Sequence, residues 1–307
     1  MQLTDTDTDT DHPADDQPSV AIATCAEHRD LDAEGRLLLD ALAAPGVDAR
    51  PAVWSEEPDG GWEQFDLVVI RSTWDYTHVL PKFLAWTRTV GGARLLNPPD
   101  VVAWNADKRY LADLARAGVA TIATEHLPPG ATFTPPPGRF VVKPAVAGGA
   151  RGAQVFDDER HEQARVHVAK LHADGHDLLV QPYLDAVDGD EGETALVFIE
   201  GELSHAMHKG PLLALDVPAV QIGFRAEQMS VVAQPAADVV ALGRRALDEV
   251  HERFGGPLLY ARADVLRDGG GEPAVLELEL IEPSLFLDFV PGTAQALARA
   301  ILARLPG

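Results

Sequence analysis

Four acidic side chains carry the sharpest chemical signal in this chain: Asp264, Glu277, Glu279 and Glu282. The first three sit in two short apolar runs, LLYARADVL and PAVLELELI, joined by RDGGGE, and Glu282 directly follows the second. Aliphatic arms around a glycine-rich turn read as a β-hairpin. Side chains alternate faces along a strand, so Glu277 and Glu279 point the same way. Asp264, on the first arm, stands 13 residues before Glu277 and is expected opposite it. Carboxylates among core-like residues are costly unless something positive neutralises them. Three hard oxygen ligands without sulfur suit Mg²⁺ or Mn²⁺. The alternative is an amphipathic strand with its acidic face in water, and on these residues alone the two readings stand level.

Upstream lie the groups that would meet an anion. A strand, FVVKP, places Lys143 at its end, and the loop AVAGGARG follows with Gly148, Gly149, Arg151 and Gly152. Glycines let main-chain N–H groups curl around a phosphate. The spacing is not that of a Walker loop, and a bare glycine-rich hairpin is the alternative. Lys108 is expected on the first turn of a helix capped by Asn105 or Asp107. A cation there opposes the helix dipole, so an anion is its expected partner; a solvated surface lysine is the competing reading. DLLVQPYLDAV reads as a strand running into a hinge at Gln181-Pro182-Tyr183-Leu184, whose amides and aliphatic wall can hold a planar base. Glu193 opens and Lys209 closes a further hairpin that turns at Glu200-Gly201.

The elements that must position these groups begin at Ser19. SVAIATC, DARPAVW and FDLVVIRS are strands, with a helix over RLLLDAL after the first. This alternation implies a parallel sheet. No GxGxxG follows the first strand, so the dinucleotide fingerprint is missing. Arg71, Ser72, Trp74, Asp75 and Tyr76 sit where the third strand ends, the place where open α/β sheets bind ligands. Arg71 could pair a substrate carboxylate and Asp75 an amino group; an Arg71–Asp75 pair that orders the loop is the alternative. The histidines of HEQARVHVAKLHADGHD are irregularly spaced and read as surface residues on a helix ending at Gly175. Residues 210–225 lack periodicity and read as a lid or ordered loop. VVALGRRALDEVHERFG and AQALARAILARL read as helices.

Composition bounds the function. The 307 residues carry a formal net charge of −23, against a nucleic-acid-binding surface, and 46% hydrophobic content supports a sizeable core. The single cysteine, Cys25, allows no internal disulfide and fits a reducing cytosol. No apolar run reaches transmembrane length. The acidic start, MQLTDTDTDTDHPADDQP, lacks the basic and apolar regions of a signal peptide and is expected to be disordered.

The order of parts resembles the ATP-grasp superfamily of the glutathione-synthetase and D-alanine-ligase kind, over about residues 97–290. These parts are a lysine at a helix start, a strand-end lysine, a glycine-rich loop, a hinge, a glutamate and a lysine on a hairpin, then an aspartate and two carboxylates. More narrowly, TCAEHRDLD, IRSTWDY, LNPPDVVAWNADKRYL, VVKPAVAGGARG, VQPYL and ELELIEPSLF resemble the D-cycloserine-synthetase-like group of O-ureido-D-serine cyclo-ligases, from Ser19 onward. The resemblance implies an α/β, ATP-grasp fold with an N-terminal parallel-sheet domain: an acidic tail over 1–18, that domain over 19–104, a small ATP-grasp subdomain over 105–180, and a C-terminal subdomain with the metal site over 181–307.

It also implies roles. Lys108 and Lys143 would hold ATP phosphates, Lys143 also near the adenine. The loop with Gly148, Gly149, Arg151 and Gly152 would close over the β- and γ-phosphates. Gln181, Tyr183 and Leu184 would contact adenine, and Glu193 the ribose. Asp264, Glu277 and Glu279 would bind Mg²⁺ (or Mn²⁺). Arg262 would neutralise the transferred phosphoryl group, with Lys209 over the phosphates or the acceptor. Arg71, Asp75 and Ser284 would hold the substrate. Many relatives carry Glu-x-Asn at the metal strand where this chain has Glu277-x-Glu279, which leaves the third ligand open. The implied activity is an ADP-forming carbon–nitrogen ligase acting on a small amino-acid-like substrate through an acyl-phosphate, by ring closure or by intermolecular ligation. A nucleotide-binding module without turnover is a further alternative. The implied setting is cytoplasmic, as a monomer or homodimer.

Overall fold

The computed structural model describes residues 17–43, 46–92, 94–189, 192–215 and 229–306. The acidic tail lies outside the described residues up to position 16, and so does the lid expectation from position 216 onward.

A parallel sheet forms first. Its strands are β1 (Ser19–Thr24), β2 (Asp48–Val53), β3 (Leu67–Ser72) and β4 (Leu95–Leu96), in the order β2-β1-β3-β4. β1 and β3 are buried along almost their whole length, as parallel strands covered on both faces must be. Alternate residues separate the two sides. Val20, Ile22 and Val69 pack with Leu38 and Leu42 of helix α1 (Ala33–Ala43). Ala21, Ala23, Val68 and Ile70 pack beneath Trp54 and beneath Phe83 and Trp86 of α2 (Leu80–Val90). Between β3 and α2 a 3₁₀ helix, Trp74–His78, crosses the carboxyl end of the sheet.

The helix expected to be capped by Asn105 or Asp107 begins only at Tyr110, and another helix precedes it. α3 (Pro99–Asn105) and α4 (Tyr110–Arg116) flank a turn that contains Lys108. Asn105 caps nothing. Its amide reaches away to another strand, and the Lys108 main-chain N–H donates to the Ala145 carbonyl at 2.9 Å, which tethers the turn there.

A second sheet is antiparallel, in the order β5-β8-β6-β7, from β5 (Glu125–Leu127), β6 (Phe140–Pro144), β7 (Gln154–Phe156) and β8 (Leu178–Pro182). Helix α5 (His161–Ala173) covers it through Ala164, Val168 and Leu171, which follow helical spacing. Two of the α5 histidines are tied down. His167 bonds the Gly152 carbonyl and His172 the Leu127 carbonyl.

The third sheet carries the acidic hairpin. Its order is β11-β10-β9-β12-β13, all antiparallel, from β9 (Glu193–Ile199), β10 (Glu202–Lys209), β11 (Met229–Val231), β12 (Tyr260–Arg267) and β13 (Pro273–Glu279). The β9–β10 turn holds both Glu200 (φ 56°) and Gly201 (φ 77°) in the left-handed region, the twist a two-residue hairpin needs. Helix α6 (Ala237–Phe254) lies on this sheet so closely that a Cβ at Gly243 would meet Leu196 at 2.5 Å. β13 ends the sheet, yet its outer edge is filled. The Asn105 side chain bonds the Leu278 carbonyl and the Leu280 N–H, the Tyr110 hydroxyl accepts from Leu278 N–H, and Val275 pairs with the main chain of Ala120 and Ile122. Helix α7 (Thr293–Leu302) returns to pack on α1 and the first sheet. Among the described residues no helix is long and apolar enough to cross a membrane.

Candidate active site

The three sheets converge on one cleft. β12 and β13 form its floor, the β6 end and the glycine-rich loop its roof, the β8 end its back wall, and the Trp74–His78 helix its front. Fifteen of the residues expected to do chemistry line it: Lys108, Lys143, Gly148, Gly149, Arg151, Gln181, Tyr183, Leu184, Glu193, Lys209, Arg262, Asp264, Glu277, Glu279 and Ser284.

Hairpin register sets the acidic floor. Asp264 pairs with Glu277 and Arg262 with Glu279 across β12 and β13, and a bulge follows at Asp264/Val265. Directly paired residues share a face and alternate residues of a strand do too, so Arg262, Asp264, Glu277 and Glu279 all project to the cleft side before the bulge is reached. Arg262 grips Asp264 through Nε at 2.9 Å and also meets Glu279. Lys209 Nζ stands 2.6 Å from Glu193 and 3.2 Å from Asp264. Lys108 Nζ stands 3.0 Å from Glu277 and donates to the Ala147 carbonyl at the start of the glycine-rich loop.

Burial dominates the ionisation of this cluster, and local charges decide its sign. Burial pushes Asp264 up, but Arg262 and Lys209 overcome it and hold the carboxyl well below its ordinary range. Burial likewise opposes ionisation of Glu277, and Lys108 and Lys143 outweigh it. Glu279 is pushed up to about 7 by burial and by the neighbouring Glu277 and Asp264, against Arg262. Glu282 rises to about 8 through burial and Glu279. Burial lowers Lys143. Negative charge is thus in excess at the β13 end of the floor. That excess, on hard oxygen donors at adjacent register positions, fits a divalent cation. As the side chains stand Asp264, Glu277 and Glu279 are each turned onto a cation, and among the described residues no three ligating groups converge on one point.

The back wall is a pocket for a flat, partly apolar group. Val141, Leu184, Leu266 and Leu276 line it beside Ile122. The Gln181 amide donates to Thr124 Oγ1 at 2.8 Å, and the Tyr183 hydroxyl donates to Asp188 at 2.6 Å while its ring lies under Arg139.

Four expectations change. Arg71 is 4% exposed and stands outside the cleft lining. Its guanidinium bonds Glu34 at 3.2 Å and the Pro283 carbonyl at 2.8 Å, against the Tyr260 ring. Asp75 also stands outside the lining; it accepts from Trp54 Nε1 at 2.6 Å and forms no pair with Arg71. Arg151 lines the cleft, but its side chain crosses to the front wall, bonding the Trp74 carbonyl, Thr77 Oγ1 and His78. Gly152 shapes the loop from behind. Its φ is +72°, and a Cβ there would lie 2.8 Å from Pro144 Cγ.

Residues without an assigned role in the sequence reading also line the cleft. Trp74, Tyr76, Ile281 and Glu282 surround its front end beside Ser284, and the Tyr76 hydroxyl faces the Glu282 carboxyl. The signal was present. Trp74 and Tyr76 follow the carboxyl end of β3, and Glu282 is the last acid of LELELIE.

Comparison with known proteins agrees along nearly the whole chain. Residues 20–97 match the family model of the D-cycloserine synthetase DcsG N-terminal domain. The cycloserine biosynthesis protein DcsG of Streptomyces lavendulae is 36% identical over 299 residues, which cover 93% of this chain and 98% of that protein. The crystal structure of D-cycloserine synthetase DcsG superimposes with a TM-score of 0.83 at 35% identity, over 94% of this chain and 100% of that one. The D-alanine–D-alanine ligase of Bacillus anthracis complexed with ATP shares the fold alone, at 12% identity and a TM-score of 0.61 over 94% and 97% of the two chains. The parallel N-terminal sheet, the two antiparallel sheets and the cleft between them are the ATP-grasp arrangement, and this chain belongs to the DcsG family of ATP-grasp ligases.

Proposed function

We propose that this ATP-dependent, ADP-forming carbon–nitrogen ligase closes a ring, converting O-ureido-D-serine to D-cycloserine. The observation that carries the reading is the joint lining of one cleft by Lys108, Lys143, the glycine-rich loop and the Asp264/Glu277/Glu279 floor, with a front end walled by the N-terminal sheet. The family match over residues 20–97 supports assigning the substrate to that end.

In this reading ATP lies with its base on the back wall, against Gln181, Tyr183 and Leu184, and its ribose toward Glu193. Lys108 and Lys143 hold the phosphates under Gly148 and Gly149. Asp264, Glu277 and Glu279 would hold Mg²⁺ (or Mn²⁺), which would supply charge neutralisation to the phosphates. The substrate carboxylate attacks the γ-phosphorus, and ADP departs. Arg262 and Lys209 offset the charge on the phosphoryl oxygens, so catalysis is mostly positioning and electrostatics. The O-linked nitrogen of the same substrate then attacks the acyl carbon, losing its proton, and phosphate leaves; the carbamoyl group still on that nitrogen is removed by water, as carbon dioxide and ammonia, to give D-cycloserine. Ring closure gains effective molarity and needs no second acceptor pocket. Acyl-phosphates hydrolyse, so the cleft must exclude water. The Arg151 contacts with the Trp74–His78 helix already draw the glycine-rich loop toward the front wall.

We assign the segments 19–104, 105–180 and 181–307 as the N-terminal, small and C-terminal units, and the cytoplasm as the setting. The test is phosphate release with ATP, Mg²⁺ and O-ureido-D-serine, with the product identified by mass. Release that requires two different substrates together would replace ring closure by intermolecular ligation. An absence of ATP binding would overturn the nucleotide assignment.

A further inference from the structure

Five carboxylates line the cleft: Glu193, Asp264, Glu277, Glu279 and Glu282. The first four each have a cation within ion-pair distance. Glu282 has none among the described residues. Lys108 acts on it electrostatically but makes its close contacts with Glu277 at 3.0 Å and with the Ala147 carbonyl. Glu282 is also placed apart from the metal strand. β13 ends at Glu279, and Glu282 stands in the following loop beside Tyr76 and Ser284. Its Oε1 lies 4.0 Å from where a Cβ on Gly148 would project, which puts the carboxylate under the glycine-rich loop. One side of the group therefore faces the expected phosphoryl position and the other faces the front wall.

Glu282 is half-buried and feels Lys108 through space without an ion pair of its own, and a ligand cation would offset the remaining cost of desolvating it. The front end has the furnishings of a small cation site. Trp74 and Tyr76 contribute aromatic surface, and the Tyr76 hydroxyl faces the carboxyl. Asp75, the acid that sequence reasoning placed at this end, is held by Trp54 Nε1 outside the cleft.

We propose that Glu282, steadied by Tyr76, binds the primary ammonium of the carboxylate substrate and so makes the enzyme specific for amino acids. The inference deepens the proposed ligase function and rests on it. The ion pair fixes one end of the substrate at the front wall while its carboxylate reaches back toward the phosphates. It also separates the acids of the cleft by task, with Asp264, Glu277 and Glu279 serving the metal and Glu282 serving the substrate.

The test compares O-ureido-D-serine with its des-amino analogue, which keeps the carboxylate and ureido groups and lacks the ammonium. Phosphate release is followed for the wild type, E282Q and Y76F. The wild type should prefer the amino substrate by roughly 100-fold or more in kcat/KM, as expected of a site built around a half-buried charged partner. E282Q should lose that preference to within a few-fold, through a raised KM for the amino substrate and little change for the analogue. Y76F, which keeps the ring, should move the preference in the same direction by a smaller factor. A urea melt that matches the wild type reports that E282Q is folded. An E282Q enzyme that keeps the wild-type preference overturns the inference. So does one whose KM rises for Mg·ATP instead, which would place Glu282 among the metal ligands. A wild type that releases phosphate with neither compound fails earlier and overturns the functional reading itself.

Discussion

Asp264 and Glu277 face one another as register partners across β12 and β13, and each is met by a cation from a different part of the chain. Arg262 and Lys209 reach Asp264 from within the same sheet, and Lys108 reaches Glu277 from the turn between α3 and α4. The pair is therefore the point at which three chain segments are locked together.

Replacing Glu277 with Gln should abolish turnover and spare the fold. Glutamine still accepts from Lys108, so the stability change should stay near 1 kcal/mol. The loss of a charge beside the transferring phosphoryl group should cost roughly 100-fold or more in kcat. Phosphate release and a urea melt on the same preparation decide the matter, and retained activity would remove Glu277 from the metal site. Chelation by EDTA should silence the wild type, with recovery on adding Mg²⁺.

Glu279 should behave differently. Asparagine keeps a carbonyl ligand for a hard cation and removes a carboxyl that burial and its acidic neighbours push up to about 7. Glu279→Asn should retain turnover within about tenfold while Glu277→Asn does not. Equal losses in the two variants would mean that the floor treats the two positions alike.

At Gly152 the backbone is the functional element. Alanine there combines a φ of +72° with a Cβ 2.8 Å from Pro144 Cγ, so the loop must shift. The left-handed conformation alone costs about 1 kcal/mol. Gly152→Ala should raise the KM for ATP several-fold and leave the first sheet undisturbed. Isothermal titration with a non-hydrolysable ATP analogue, beside the melting curve, separates the two effects. Unchanged nucleotide affinity would show that the loop tolerates the shift.

Stability should fall in mild acid through His205. This residue is 8% exposed, and its Nε2 bonds the Leu285 carbonyl at 2.9 Å. Burial holds its pKa below the ordinary 6.5, so the folded protein prefers the neutral ring and the unfolded chain takes up the proton first. The contribution is therefore present above about pH 6.5 and is lost as pH falls through the folded value. Urea melts at pH 7.5 and about pH 5.5 should show a larger loss for the wild type than for His205→Gln. Parallel losses would assign the acid sensitivity elsewhere.

What the sequence revealed was governed by distance along the chain. Lys143 and its glycine loop are contiguous, and the acidic hairpin closes over a short turn, so type and spacing sufficed. Arg71 was misread because its partners are remote. Glu34 is 37 residues away and the Pro283 carbonyl 212, and nothing local marks that the guanidinium is buried beneath a loop. The same remoteness hid the role of Glu34, whose carboxylate accepts from the main-chain N–H groups of Leu285 and Phe286. Lys108 was placed on a helix, because Asn105 looks like a cap until its partners on β13 are known. Glu282 was seen as an acid among leucines. Its distinction from Glu279 appears only when the strand is seen to stop between them.

The filled outer edge of β13 has a consequence for the protein in a crowded solution. A terminal strand with free N–H and C=O groups is a template on which another chain can add, leading to aggregation. This strand carries the floor of the cleft, so pairing there would also disturb the register of Glu277 and Glu279. Asn105, Tyr110 and the 120–122 segment occupy those groups with the protein's own atoms. The residues that seal the edge come from the same stretch that presents Lys108. The stretch that delivers a cation to the floor thus also protects the floor from unwanted company.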